Sequence, residues 1–264
     1  MAAGTLNGWI DGLQAKGRYT FLRTEALSGT GMTPEALSKA LLRLTKKGRL
    51  AKAKKYFYVI VPIEYASAGS PPPAWFIHDL MDAMRQPYYT GLLSAAALHG
   101  ASHQQPQEFQ VVTNPYVRPI RVGRVRIRFF TKRSCQATPA ARVKTPTGTM
   151  RVSTPEATAI DLVRYARCVG YFGNVATVLK EMAPSLDAER LLDAIKVEGS
   201  VMSAQRLGYL LEQVGAGEIA RRFASWLGEH RLHSIRLRPN RPANDLEAHP
   251  VWRVIPNEVV DVDA

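Results

Sequence analysis

The chain has 264 residues, 46% of them hydrophobic, which suffices for ordinary cores in one large domain or two to three small ones and predicts a soluble globular protein. Lysine and arginine total 35 against 22 acids, a formal charge of +13, which favours a polyanionic partner (nucleic acid, an acidic protein or an anionic membrane) without choosing among them. No apolar run approaches a membrane span, residues 1–10 lack the features of a secretion signal, and Cys135 and Cys168 stand far apart without a CxxC or Cys/His cluster, so the sequence predicts cytoplasmic residence, reduced thiols, no membrane partner, and neither a zinc site nor a disulfide framework.

The first predicted element is an amphipathic helix over 6–16, with Leu6, Trp9, Ile10 and Leu13 on one apolar face, Trp9 in the core, and Gly17 as its end. Residues 19–61 then follow the order of a winged helix-turn-helix. A short helical patch at 23–27 leads to the turn Ser28-Gly29-Thr30-Gly31-Met32. Next comes a helix over 34–47, opened by Thr33 as N-cap, Pro34 and the first-turn acid Glu35, closed by Gly48, and carrying Leu37, Ala40, Leu41 and Leu44 at helical spacing. After Gly48 the period becomes strand-like, with 49–53, a Lys54-Lys55 tip and the aromatic and β-branched run 56–61, which together predict a wing. Thr33, Glu35, Ser38 and Lys39 occupy the exposed start of the helix, where side chains reach base edges. Arg43, Lys46, Lys47, Arg49, Lys52, Lys54 and Lys55 spread charge along helix end and wing, as phosphate contacts require. The competing reading is a three-helix packing unit whose lysines only solvate a surface.

The small-residue and proline tract 66–73 reads as a linker, giving a DNA-binding domain at 1–65 and a C-terminal domain at 74–264. Helices are expected at 75–85 and 90–98, and a strand at 109–113. Between 118 and 132 the alternation places Val125, Ile127 and Phe129 on one strand face and Arg124, Arg126 and Arg128 on the other. Three arginines on one face repel one another, so an anionic partner competes with a merely solvated sheet face as the explanation. A hairpin is expected within 143–152, and Ser153-Thr154-Pro155-Glu156 starts a helix by the same cap, proline and acid logic as Thr33-Pro34-Glu35. Further helices are predicted at 174–182, 187–197, 203–214 and 218–227, then short late strands near Ile235 and 251–255 whose pairing stays open. The fold class is therefore α+β: a winged helix-turn-helix, then a mixed α/β C-terminal domain with strands in 74–152 and a largely helical last third, 153–264.

Several pieces, in order, carry a family likeness over most of the chain. They are Gly48-Arg49-Leu50 with 56–62, Tyr88-Tyr89-Thr90-Gly91, Ser94-Ala95, Leu98-His99-Gly100, Gln110-Val111-Val112-Thr113, 153–158 with Asp161-Leu162-Val163, and 205–212. In these the chain resembles the AbiEi-like antitoxins and transcriptional regulators of type IV toxin-antitoxin and phage-abortive systems. The resemblance implies a winged domain that represses its own operon at inverted repeats in double-stranded operator DNA. It also implies a C-terminal domain that opposes a nucleotidyltransferase toxin, by contact or through the toxin's RNA target; from the strand pattern and its place beyond the linker, the stripe Arg124, Arg126 and Arg128 is expected to bind that domain's partner. The chain departs from its relatives at Ala97, where an acid often precedes Leu98, and in an arginine-heavy tail; both bear on partner contacts. A plain winged-helix repressor without a toxin is the alternative, as is a nuclease, since Glu156, Asp161, His78-Asp79, His99 and His103 are available. Five residues apart on a helix, however, Glu156 and Asp161 face different ways, and no Walker loop, HExxH or GxGxxG is present, so no enzyme, cofactor or metal is expected.

Overall fold

Thr5 opens the first helix, α1 (Leu6–Gln14), by accepting a hydrogen bond from Gly8 N on its hydroxyl, and Leu6 and Ile10 are buried along it. This computed structural model describes residues 5–101, 106–243 and 245–260. Two compact units are assembled from separated stretches: unit 1 from Met1–Tyr88, Gln107–Arg133 and Arg142–Arg151, and unit 2 from Tyr89–Pro106, Ser134–Ala141 and Val152–Ala264.

In unit 1, α1 is followed by β1 (Thr20–Leu22), α2 (Arg23–Thr30), α3 (Pro34–Lys46), β2 (Leu50–Lys54) and β3 (Phe57–Ile60), with the strands in an antiparallel sheet of order β1-β3-β2. One apolar cluster, including Ile10, Phe21, Ala26, Leu37, Leu41, Leu44 and Ile60, lies among these elements, and Trp9 packs against it. The strand β1 is absent from the expected elements because three residues are too few to show a period. Its place comes from pairing Phe21 with Tyr58, whose rings stack 5.5 Å apart. The helix α2 runs on to Thr30 instead of ending near residue 27: Ala26 and Thr30 are buried on one side, and the turn comes at Gly31, in the left-handed region at φ 64°. Within α2 a Cβ on Gly29 would fall 2.1 Å from Trp9 Nε1, so the indole needs the bare backbone.

The tract 66–73, expected as an interdomain linker, lies inside unit 1. Ala68 O accepts a hydrogen bond from Arg124 N at 2.8 Å, Ser70 is buried, and a Cβ on Gly123 would meet the Gly69 carbonyl carbon at 2.5 Å. A helix α4 (Ile77–Ala83) follows, shorter than the expected 75–85, because the prolines before it set a 3-10 turn at Pro73–Trp75. The strands β4 (Tyr88–Thr90), β5 (Phe109–Thr113), β6 (Ile120–Val122), β7 (Val125–Thr131), β8 (Ala140–Thr145) and β9 (Gly148–Ser153) form a sheet of order β6-β7-β5-β4-β9-β8. Within unit 1, β5 pairs in parallel with β7, Gln110 opposite Arg128, and β6 pairs antiparallel with β7, Arg121 opposite Arg126.

Unit 2 is mainly helical, with α5 (Leu92–Ala96), α6 (Pro155–Arg164), α7 (Tyr171–Met182), α8 (Ala188–Glu198), α9 (Val201–Gln213) and α10 (Gly217–Gly228). The side chains of Thr154, Asp187 and Ser200 cap α6, α8 and α9, so the cap-proline-acid reading at 153–156 matches the observed helix start. Expected as one helix over 90–98, the segment instead divides into the end of β4, the short α5 and a 3-10 turn Ala97–His99. The late strands β10 (Ile235–Arg236) and β11 (Val254–Ile255) pair in parallel. Among the described residues no helix is long and apolar enough to cross a membrane, and no group of three His, Cys, Asp or Glu side chains is placed to hold a metal.

Candidate nucleic-acid interface

The helix α3 is anchored at its start by the Thr33 hydroxyl, which accepts from Ala36 N at 3.3 Å, and along one side by buried Leu37, Ala40, Leu41 and Leu44. Its other side is a continuous exposed stripe of Glu35, Ser38, Lys39, Leu42, Arg43 and Lys46, spaced three and four residues apart. Leu42 is 58% exposed there, an apolar residue with no place in unit 1's core. Lys47 continues the stripe, while Lys52 and Lys54 point outward from β2, whose exposed and buried residues alternate from Ala51 up to the turn. The turn Lys55-Tyr56 joins β2 to β3, with Lys54 opposite Phe57. Tyr56 holds φ 69°, a left-handed conformation that residues with a side chain rarely adopt, and its ring is 48% exposed.

Two of the sequence-predicted residues are committed elsewhere. Arg49 ion-pairs with Asp11 and donates to Gln14 Oε1 at 3.0 Å, tying the entry of β2 back to α1. The Ser38 hydroxyl donates to Pro34 O at 2.7 Å and accepts from Arg23 Nη2 at 2.9 Å. Arg23 is a residue the sequence reading passed over; its Nη2 also donates to Pro34 O at 3.1 Å, and its Cζ lies 5.9 Å from the centre of the Tyr56 ring. No local signal marks it, because α2, α3 and the β2–β3 turn meet there only after folding.

The arginine strand differs from its expected register. Arg124 sits in the turn before β7 rather than on the strand, and Phe130, which shares the parity of Arg126 and Arg128, is buried. Arg128 lies 5.1 Å over the Phe130 ring, and Glu108 reaches Arg126 at 2.9 Å and Arg128 at 3.7 Å. The stripe is thus a mixed surface in which one carboxylate offsets part of the charge, and Val125 and Phe129 on the opposite parity are only half-buried.

In unit 2 the acids and histidines weighed as catalytic groups take separate internal partners. Glu156, 1% exposed, accepts from Asp187 N at 3.2 Å and Arg190 Nε at 3.1 Å. Asp161 accepts from the Tyr89 hydroxyl at 2.7 Å, and burial together with that carboxylate pushes the Tyr89 phenol far above the ordinary tyrosine range. Tyr165 is pushed up to about 12 by burial and by Asp161. His99 Nε2 lies 2.7 Å from Ser153 O; in unit 1, His78 Nδ1 is 3.3 Å from the Tyr88 hydroxyl; His103 lies outside the described residues.

In unit 2 the stretch 205–212, part of the family likeness, packs against Trp252. Along α9, Gln205, Gly208 and Glu212 share a face, and all three meet Trp252. Gln205 Nε2 donates to Trp252 O at 2.9 Å, and Trp252 Nε1 donates to Glu212 Oε2 at 2.5 Å. The indole lies where a Cβ on Gly208 would come within 2.3 Å of its Cε3 and Cζ3. Arg206 adds bonds from Nη2 to Arg236 O at 2.9 Å and from Nε to Leu237 O at 3.1 Å. Below them, Asn257 Nδ2 donates to Arg238 O and Arg241 O, both at 2.9 Å, closing the polar loop.

No curated protein matches the chain. Among solved structures, the crystal structure of the RV2827C protein from Mycobacterium tuberculosis is similar in fold, with a TM-score of 0.64 over 96% of this chain and 93% of that one at 15% identity. The model of the AbiEi antitoxin C-terminal domain matches residues 89–213, a stretch that contains Tyr89, Ser153, Glu156, Asp161 and the α9 face toward Trp252. That segment, residues 89–213, therefore belongs to the AbiEi antitoxin C-terminal domain family.

Proposed function

We propose that the protein is the antitoxin of a type IV toxin-antitoxin pair, that residues 5–61 are a winged helix-turn-helix, and that it represses its own operon by binding inverted repeats in the operator. The antitoxin part rests on the matched domain at 89–213. DNA binding is supported above all by one observation, the unbroken exposed stripe Glu35, Ser38, Lys39, Leu42, Arg43 and Lys46 on α3, flanked by Lys52, Lys54 and Lys55 on the hairpin. A stripe of this length fits a major groove, with the start of the helix toward base edges and the lysines toward phosphates. Glu35 and Lys39 serve as the base-reading pair, and Arg43, Lys46, Lys47, Lys52, Lys54 and Lys55 supply sequence-independent attraction. Arg124, Arg126 and Arg128 serve the second task, opposing a nucleotidyltransferase toxin either directly or at its RNA target. This reading assigns the chain no reaction of its own.

The test uses the full-length protein and the DNA upstream of its gene. Footprinting is expected to protect an inverted repeat, and, if the adjacent gene encodes a nucleotidyltransferase, expression of the protein is expected to restore growth to cells making that enzyme. Equal affinity for operator and random duplex would refute the repressor role, and absence of rescue would refute the antitoxin role.

A further inference from the structure

We infer that Arg23 is a phosphate contact of the bound duplex, presented together with Tyr56, and that Ser38 is its positioning residue instead of a reader of bases. This rests on the DNA-binding reading above and adds a residue to it. The Ser38 hydroxyl has one proton, already given to Pro34 O at 2.7 Å, so it has no donor to offer a base edge; what it does is hold Arg23 Nη2 at 2.9 Å. A guanidinium grips a base or carboxylate with two donors through one of two forks, Nη1 with Nη2 or Nε with Nη2. Both forks use Nη2, which here is bound to Ser38 Oγ and Pro34 O. An Nη2 shared with Ser38 Oγ and Pro34 O is poorly placed for the two-donor grip on guanine that makes arginine a base reader. The charge of Arg23 and the donors on Nε and Nη1 remain, and these suit a phosphate oxygen, which accepts single hydrogen bonds from any direction.

The surroundings agree with an anion at this point. Arg23 has no carboxylate partner among the described residues: the nearby acid Glu25 accepts from Leu22 N at 2.6 Å and pairs with Arg18. Tyr56 O accepts from Arg23 N at 2.9 Å, which ties the start of α2 to the hairpin tip. The exposed Tyr56 ring has Arg23 Cζ at 5.9 Å and Lys55 Nζ at 5.0 Å, so two cations share one aromatic ring. A left-handed residue other than glycine at a hairpin tip costs stability, and a ring that gathers two cations for a polyanion accounts for its presence there.

The experiment measures affinity of the full-length protein for its operator and for a random duplex of equal length across a salt series. Arg23→Gln is expected to weaken both duplexes by the same factor and to lower the slope of log affinity against log salt by about one unit. Ser38→Ala is expected to weaken both equally, by a smaller factor, and to leave the operator preference intact. Tyr56→Gly is expected to raise the melting temperature, since glycine suits that conformation, yet to weaken both duplexes; a merely structural tyrosine would not show that pairing of effects. Loss confined to the operator with Arg23→Gln, or an unchanged salt slope, overturns the inference. Lys54→Ala with Lys55→Ala separates the two levels: if that pair lowers the slope and Arg23→Gln does not, the inference fails alone, whereas a wild-type protein that binds no duplex removes both.

Discussion

Gly208→Ala should loosen the C-terminal segment from α9 within unit 2, at a cost set by the contacts of Trp252. The new methyl would lie 2.3 Å from Trp252 Cε3 and Cζ3 and 2.7 Å from Cδ2, on the body of a ring held at both ends. That ring is 2% exposed, with its Nε1 bonded to Glu212 and its backbone carbonyl to Gln205, so it cannot slide aside and keep both bonds. Overpacking alone costs about 1–3 kcal/mol, and full loss of a buried tryptophan about 3–5 kcal/mol. The greater helix propensity of alanine returns up to about 1 kcal/mol. A net loss of about 3 kcal/mol is expected, which lowers the melting temperature by roughly 6–12 °C at about 2–4 °C per kcal/mol. The assay is urea and thermal unfolding of a double-mutant cycle with Trp252→Ala: once the indole is gone, Gly208→Ala should become neutral or stabilising. Gly12→Ala, in a helix with nothing within 4 Å, is the control and should gain about 0.5–1 kcal/mol. An unchanged midpoint for Gly208→Ala, or an equal cost with and without Trp252, would refute the clamp.

Alkaline pH should destabilise the fold through its buried phenols. Tyr89 is held above the ordinary tyrosine range and Tyr88 is pushed up to about 12, so above pH ~10 the unfolded chain releases protons that the folded chain retains. Their contribution is complete below that pH and is lost above it at about 1.4 kcal/mol per pH unit for each group; Tyr89→Phe should flatten the decline in urea midpoints between pH 9 and 11, and an identical slope would count against this. Lys54→Ala and Lys55→Ala should each lower the salt slope of operator binding by about one unit while sparing operator preference, which titration at several salt concentrations measures. Changing Arg124, Arg126 and Arg128 to glutamate should weaken rescue from the toxin and leave the operator shift of the full-length protein unchanged; intact rescue would mean the strand face is only solvated, and loss of both would make it a second DNA contact.

Caps could be read from the sequence because their chemistry is local. Thr33-Pro34-Glu35 and Thr154-Pro155-Glu156 place hydroxyl, fixed φ and acid within three residues, and both helices start there. The apolar period of α3, Leu37, Ala40, Leu41 and Leu44, is equally plain. What escaped depends on residues that meet only in space. Arg23 gains its setting from Ser38 and Tyr56, fifteen and thirty-three positions away, and Arg49 was counted as a phosphate contact because nothing local announces Asp11. The stretch 205–212 was visible as letters, but its purpose was not, since Trp252 lies 40 residues beyond Glu212. Phe130 shows the limit of alternation: a parity argument sorts residues onto two faces and says nothing of how deeply each face is covered.

The interleaving of the two units along the chain orders their completion during synthesis. Unit 1 needs its last stretch, Arg142–Arg151, so the first 88 residues must wait on the ribosome while 89–106 and 134–141, which belong to unit 2, emerge in between. At about 5–20 residues per second that interval is a matter of seconds, long enough for α1 to α3 to collapse on their own cluster but not for unit 1 to close. Unit 2 closes later still, because Trp252 must reach α9. The exposed stripe of α3 would thus be formed well before the segment that matches the AbiEi antitoxin C-terminal domain is packed against Trp252.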